Sequence, residues 1–308
     1  ISGKGGTGKT SLTACFAGLA KNKVMVDCDV DAADLHLVLQ PKPRKTEAFW
    51  AGRLAVIRQR DCKACGLCFE YCQFGAVRWD KPATGTSKPV FSVAPLDCEG
   101  CGVCVEFCPA KAIDFPERLT GCWMVSDTRH GPMVHAALEP GAENSGKLVS
   151  MVRRQAAALA KERGLDLVLT DGPPGIGCPV IASITGATHV LVVGEPTVSG
   201  RHDAARVYEL TRHFGIGTFL CVNKHDINPE MTRLMEQDAV AAKVTPVGHI
   251  RYDERVTLAQ MQGRAVTETC DDGAAQDIRV VWKTLAERMV TPSGPLKAGR
   301  FPARAPRF

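Results

Sequence analysis

Residues 1–10 read ISGKGGTGKT, and this stretch decides the fold. Gly3 and Gly8 stand four residues apart, followed by Lys9 and Thr10, which is the spacing of a phosphate-binding P-loop. Gly5, Gly6 and Gly8, with Thr7 counted among them, let backbone N–H groups converge on phosphate oxygens with no bulk in the way. Lys9 is expected to reach the β- and γ-phosphates and the Thr10 hydroxyl to ligate Mg2+, while the helix that follows aims its positive end at the same anion. Ser11 is assigned no contact. Lys4 is surplus to the pattern. Two ammonium groups forced together in one protomer repel each other unless an anion lies between them, and a triphosphate enclosed by two subunits would supply it. The rival account leaves Lys4 solvated, adding charge near the phosphates. A buried strand should lead into such a loop, yet only Ile1 precedes it here, so most of that strand is expected to be missing from this sequence.

Further along, periodicity predicts helices over 10–21, 144–163, 201–213, 229–243 and 277–289, with Asn144 or Ser145 as a cap. Short apolar strands are predicted at 23–27, 54–57, 165–170, 188–193 and 218–222. Strands alternating with helices define an α/β fold with a mostly parallel sheet covered on both faces. Acids follow two of these strands: VDCDVDAAD offers Asp27, Asp29 and Asp31, and TDGPPG offers Asp171, placed to hold a Mg2+-bound water. Asp31 and Asp34 are read as polar or capping residues. The apolar runs are strand-length, so no membrane span is expected. Of the net charge of +5, four units come from Lys297, Arg300, Arg304 and Arg307 in the proline-rich tail 291–308, leaving about +1 elsewhere. The tail reads as disordered, and the rest shows no basic face, which argues against nucleic acid as a partner.

Fourteen cysteines are too many for an ordinary enzyme of a reducing compartment, and eight lie in two clusters. CKACGLCFEYC carries Cys62, Cys65, Cys68 and Cys72; CEGCGVCVEFCP carries Cys98, Cys101, Cys104 and Cys108. Both have the two-two-three spacing of bacterial ferredoxins with two 4Fe–4S cubanes, in which the fourth cysteine of each motif serves the other cluster. One cluster is therefore assigned to Cys62, Cys65, Cys68 and Cys108, the other to Cys98, Cys101, Cys104 and Cys72. A zinc site would use two pairs of cysteines instead. FGAVRWD after Cys72 echoes PAKAIDF after Cys108, each a turn and a short strand. The expected organisation is an ATPase domain in two parts, 1–57 and 118–290, interrupted by a ferredoxin module at 58–117. Cys15, Cys28, Cys221 and Cys270 read as buried core residues. His130 and His135 either line the junction between the two units or make ordinary hydrogen bonds.

With these residues in hand, the chain resembles the MinD/Mrp/nitrogenase-iron-protein superfamily (SIMIBI class) of P-loop ATPases, in members carrying an inserted ferredoxin domain. The resemblance implies that Lys4 crosses a dimer interface to the neighbour's nucleotide, that Asp29 places the attacking water, and that Asp171 is the switch II aspartate. It also implies that Asn223 and Lys224, in VNKHD, belong to the base-recognition segment, with Asn223 on the adenine. PVGHIRYDE is similar to the family's strand-end motif, with Arg251 where proline is common; Gln73 likewise replaces a common proline beside Cys72. Cys178 matches the offset of a cysteine that, in nitrogenase iron protein, ligates a cluster shared across the dimer. Cys122 is a candidate second ligand, and a small packed residue is the alternative reading of Cys178. His202 falls at a family-like position.

The expected protein is therefore a cytoplasmic ATPase of a reducing, oxygen-poor setting, a homodimer or a heterodimer with a related ATPase. It would use ATP, ADP and Mg2+, carry two 4Fe–4S clusters, and meet a redox or cluster-accepting metalloprotein. Three functions compete: ATP-gated electron transfer, the leading one; assembly or delivery of an iron–sulfur or mixed-metal cluster; and MinD-like positioning with a redox-sensitive docking module. The proline-rich tail, which offers no amphipathic helix, argues against the third.

Overall fold

A computed structural model describes residues 1–80, 88–139 and 145–290. The basic tail, Asn144 and the side chain of Ser145 lie outside these residues. After the P-loop come α1 (Lys9–Leu19), β1 (Lys23–Asp27) and α2 (Leu35–Leu39). A long strand β2 (Lys42–Arg53) then runs out to the cysteine module, built of β3 (Val56–Ile57), α3 (Leu67–Glu70), β4 (Val77–Asp80), β5 (Val90–Val93), α4 (Val103–Glu106) and β6 (Ile113–Asp114). The chain returns along β7 (Glu117–Thr128) and β8 (Gly131–Leu138) to α5 (Ser145–Arg163), β9 (Leu167–Asp171) and α6 (Cys178–Ile184). It closes with β10 (His189–Gly194), α7 (Val198–His213), β11 (Gly217–Asn223), α8 (Pro229–Ala241), β12 (Thr245–Ile250), α9 (Arg255–Met261) and α10 (Ala274–Val290).

The central sheet has the order β2-β7-β8-β1-β9, with a parallel three-stranded sheet β10-β11-β12 beside it. β1 is parallel to β8 and β9, whereas β7 is antiparallel to both of its neighbours, β2 and β8. The pairing around β1 and in the second sheet is parallel, as the alternation predicts, and the five-stranded sheet becomes mixed where the chain leaves and re-enters it through an antiparallel arm. Periodicity missed that arm. β2 (KPRKTEAFWAGR) is an edge strand exposed at all positions but Phe49 and Ala51, so it carries no apolar alternation to read. Lys42, Pro43, Arg44 and Lys45 suit an open edge, where charge and proline discourage pairing with another chain.

All five residues of β1 are buried. Val24 and Val26 pack with Leu148, Val149 and Val152 of α5, and Met25 packs on the opposite face with Leu12, Cys15 and Phe16 of α1. This two-faced burial is why the middle of the strand, Val24, Met25 and Val26, is unbroken apolar, each such side chain contributing about 1.5–3 kcal/mol. α7 and α8 cover the second sheet through Val207, Tyr208, Met235 and Ala239. Cys15, Cys28 and Cys221 are core residues; Cys270 is only partly buried, its thiol directed at the Val266 carbonyl.

Ile1 and Ser2 stand between β9 and β10. The Ile1 amino group donates to Leu191 O and Val193 N donates to Ile1 O, each at 2.9 Å. On the other side Gly175 N donates to Ser2 O at 2.9 Å, and Ser2 pairs in parallel with Pro174. A cavity of about 410 Å³ lies behind them, lined by Leu167, Leu169, Val190, Leu191, Trp282 and Leu285 among others. No helix among the described residues is long and apolar enough to cross a membrane.

Candidate functional site

The phosphate loop is held from behind by the end of β11. Asn223 Nδ2 donates to Thr7 O at 2.9 Å, and Asn223 Oδ1 accepts from Lys224 N at 3.1 Å. Gly8 has φ 90°, in the left-handed region, and a Cβ there would strike the Asn223 amide, so both backbone shape and space require glycine. Asn223, expected on adenine, here spends its amide on the loop. Beside it a cleft of about 200 Å³ is lined by Gly6, Gly8, Asn223, Lys224, Arg251 and Tyr252 among others. Arg251, the residue in place of the common proline, turns to Asp277 with two contacts of 2.7 and 2.8 Å.

Below the loop the two strand ends bring acids together. Asp27 and Asp171 are register partners at the ends of β1 and β9. Thr13 Oγ1 donates to Asp171 Oδ1 at 3.1 Å, the Thr10 hydroxyl also bonds Asp171, and Asp29 N donates to Asp27 Oδ1 at 3.1 Å. Lys9 is buried beside them at 7% exposure. Burial and the Asp171 charge push the Asp27 carboxyl well above the usual range, and burial pushes Asp171 up as well. Asp29 is raised to about 6 by burial, against the pull of Lys9. Asp27 Oδ2, Asp171 Oδ2 and Thr7 Oγ1 are all buried and without a protein partner. Unsatisfied buried oxygens of this kind are costly. Hard oxygen donors beside a phosphate loop fit a hydrated Mg2+, which would take up their charge.

Of Asp27, Asp29 and Asp31 the sequence reading expects one to bind or order Mg2+, one to place water and one to cap a helix, without naming Asp27 for the first; its place as the last residue of a buried parallel strand marks it. Asp31 and Asp34 stand exposed; Asp34 sits at the N-cap of α2 but makes no side-chain cap bond. Lys4 is partly exposed but not alone. Its Nζ lies 3.2 Å from Glu195 Oε2, and Lys224 Nζ lies 2.9 Å from Glu195 Oε1. A carboxylate of the same chain thus stands between Lys4 and Lys224, not between Lys4 and Lys9, and it is a residue the sequence reading passed over.

The cysteine module is a repeat of two halves. Gly66 and Gly102 precede α3 and α4 with φ of 83° and 79°, and Tyr71 and Phe107 meet with ring centroids 4.8 Å apart. Cys62, Cys65, Cys68 and Cys108 line one cavity with Ile57, Phe91 and Ile113. Cys72, Cys98, Cys101 and Cys104 line a second with Tyr71, Val77 and Phe115. In each quartet one cysteine comes from the other half. Ala64 N and Ala112 N donate to the sulfurs of Cys62 and Cys108 at 3.4 Å. Burial and the neighbouring thiols raise Cys68 to about 11 and push Cys104 up too, repulsion that bonded metal would relieve. Among the described residues no three Cys, His, Asp or Glu side chains converge tightly enough to hold a single metal ion. A cubane needs a wider frame, because each cysteine binds a different iron, and largely apolar walls around four sulfurs suit it. With Gln73 in place of proline the turn still closes, Gly75 N donating to Cys72 O at 3.4 Å.

The module is seated firmly on its arm. β3 pairs with β6, Leu54 N donates to Pro116 O at 3.1 Å, and Arg53 donates to Phe115 O at 3.2 Å. Arg58 binds Asp61, Asp114 and the Lys111 carbonyl. Cys122 lies within β7, opposite Ala48 and Ala137, three strands from β9, or roughly 14 Å. Cys178 opens α6 and is exposed, with Gly146 against it. His135 bonds Ser126 at 2.8 Å in the core, where burial lowers it to about 4, and His130 lies 3.1 Å from Glu268. Both make ordinary hydrogen bonds. His202 is an exposed residue beside Asp203.

Fold and site together define an α/β P-loop NTPase fold with a mixed sheet and flanking helices, interrupted by an inserted domain of ferredoxin type. Residues 61–112 match the 4Fe-4S dicluster domain family. The chain is 35% identical over 231 residues to "uncharacterized protein MJ0578" of Methanocaldococcus jannaschii, covering 74% of this chain and 78% of that protein, and belongs to its family. Among solved structures it is similar to the septum site-determining protein MinD of Pyrococcus horikoshii complexed with Mg-ADP. That match has a TM-score of 0.57 and 14% identity, covering 94% of this chain and 95% of the other. The MinC:MinD cell division complex of Aquifex aeolicus gives a TM-score of 0.54 at 18% identity, covering 96% of each chain.

Proposed function

We propose that this protein is a nucleotide-driven switch: MgATP bound at Gly3–Thr10 pairs two protomers and presents the cysteine module to a partner protein. The observation that carries the reading is one of continuity. Asp27 and Asp171 end β1 and β9; β1 is bonded to β8, β8 to β7, and β7 with β2 forms the arm that seats the module. A rearrangement of the strand ends on nucleotide binding has a rigid route to the cysteines.

In this reading the loop amides and Lys9 bind the phosphates, Thr10 and Asp171 hold Mg2+ through water, and Asp29 orients the water that attacks. Asp27 keeps Asp29 in place through its backbone. Lys4 completes the partner's site, and closure excludes water. Cys62, Cys65, Cys68 and Cys108 would hold one 4Fe–4S cluster and Cys72, Cys98, Cys101 and Cys104 the other. Such clusters supply low-potential, one-electron chemistry. Of the uses left open by the sequence, nucleotide-controlled docking, with the clusters as its redox-responsive element, is the best backed. It fits a fold shared with MinD, which is seen in complex with MinC. Electron delivery is the second reading, favoured by the exposure of Cys65 and Cys101 and of the rings of Phe69, Tyr71, Phe74 and Phe107 around them.

The test is anaerobic purification, iron analysis, and paramagnetic resonance with sedimentation, with and without MgATP. About eight irons per chain, ATP-dependent pairing and nucleotide-sensitive cluster spectra are expected. Pairing and spectra both indifferent to nucleotide would overturn the switch. Cluster reduction of an acceptor, with iron retained, would move the second reading to first place.

A further inference from the structure

We infer that Glu195 is a positioning residue that holds Lys4 in the nucleotide-free protomer and gives it up on ATP-driven pairing, an inference resting on the switch proposed above. The geometry is specific. Glu195 follows β10 directly and lies in the turn before α7, where Thr197 N donates to Glu195 O at 2.7 Å and Thr197 Oγ1 caps the helix by accepting from Gly200 N at 3.0 Å. The carboxylate is therefore placed by a tight, capped turn. The phosphate loop is pressed against the same helix at Gly3, where a Cβ would collide with Asp203. That contact puts Lys4, the next residue, within reach of Glu195.

One carboxylate then serves two cations. Lys4 Nζ is 3.2 Å from one oxygen and Lys224 Nζ 2.9 Å from the other, with the Glu195 side chain only 18% exposed. The two lysines hold the Glu195 carboxyl below its usual range, against the effect of burial. Lys224 also lines the cleft beside Gly6 and Gly8. A lysine bound here is unavailable to a neighbouring protomer. Pairing must exchange the Glu195 carboxylate for phosphate oxygens as the partner of Lys4, and it is opposed by whatever the intrachain ion pair is worth. The pair thus sets a threshold: a ligand with less charge to offer Lys4 does not draw it away.

The experiment measures pairing by sedimentation against MgATP concentration for the wild type, Glu195→Gln, Glu195→Asp and Lys4→Ala. Glu195→Gln should lower the concentration for half-maximal pairing about three- to fivefold, the worth of one partly exposed ion pair. Glu195→Asp, which keeps the charge on a shorter stem, should fall between it and the wild type. A purely structural role predicts the opposite sign, since a damaged turn weakens pairing, so misfolding cannot imitate the expected result. If the wild type pairs and Lys4→Ala does not, yet Glu195→Gln is unchanged or weaker, the holding role is wrong while the switch stands. A wild type that never pairs on MgATP overturns the switch and this inference with it.

Discussion

The nucleotide site and the cysteine module solve opposite problems. The first gathers groups from across the chain and buries them: Thr13 meets Asp171 across 158 positions, and Asp27, Asp171 and Lys9 are all less than 10% exposed. The second draws its ligands from two short repeats and leaves Cys65 and Cys101 exposed. The difference lies in what holds each together. β1 is buried at every residue; among the described residues of the module only Ala76, Val77, Phe91, Ala112 and Ile113 are buried apolar residues. So small a core does not stabilise some sixty residues unaided, and in the proposed reading metal–thiolate bonds would supply the rest. The ATPase frame should be stable without its ligand and the module should not.

The largest effect expected from that contrast comes from Cys72→Ser. Cys72 belongs by sequence to the first motif but lines the second cavity. Its loss should lower iron from about eight to about four per chain and remove the paramagnetic signal of the second site, with MgATP binding by calorimetry unchanged. Loss of the first cluster instead would show that the ligands do not cross between halves. A parallel loss of ATP binding would show that the two regions are not separately stabilised.

A smaller effect tests the electrostatic side. Asp27, Asp29 and Asp171 all have carboxyl pKa values above their ordinary range in the folded chain. The native state therefore holds protons that the unfolded state has released, and stability falls as pH rises between the unfolded value near 4 and the folded values, about 6 for Asp29. Without Mg2+ the chain should be on the order of 1–2 kcal/mol more stable near pH 5.5 than near pH 8. Mg2+ with nucleotide should reverse that slope. Asp27→Asn should raise the metal-free melting temperature and flatten its pH dependence while weakening Mg2+-dependent ATP binding. Equal stability across this window would mean that the acids are not held against their charge.

What could be read beforehand followed the same division. The cysteine quartets were legible because their spacing is local, and β1 matched its predicted span of 23–27 because burial on both faces forces an unbroken apolar run. The arm was not. β2 shows water seven polar or small residues in a row, and β7 is held as a strand by pairing with β2 on one side and β8 on the other, a tertiary fact that periodicity does not encode. Lys4 was legible as a surplus charge, but not its partner. Glu195 follows a strand with no motif around it, and only folding brings it across 191 positions to the loop.

The smallest effect would separate the two halves of the module from each other. After the first cysteine of each motif stands Lys63 in one half and Glu99 in the other, both exposed. Ala64 and Ala112 donate N–H bonds to the sulfurs of the first quartet. Positive charge and N–H donors favour the reduced, more negative state of a cluster, so the site of Cys62, Cys65, Cys68 and Cys108 should take the first electron. Exposed charges act through water, and a unit charge at such range shifts a one-electron potential by about 30 mV or less at moderate salt. Potentiometric titration followed by paramagnetic resonance should show Lys63→Glu lowering the first potential and Glu99→Lys raising the second, each shift shrinking as salt is added. If the double exchange left the order and spacing of the two potentials unaltered, the asymmetry would have to come from the buried walls of the two cavities, Phe91 and Ile113 against Tyr71 and Phe115, and not from the charges at their rims.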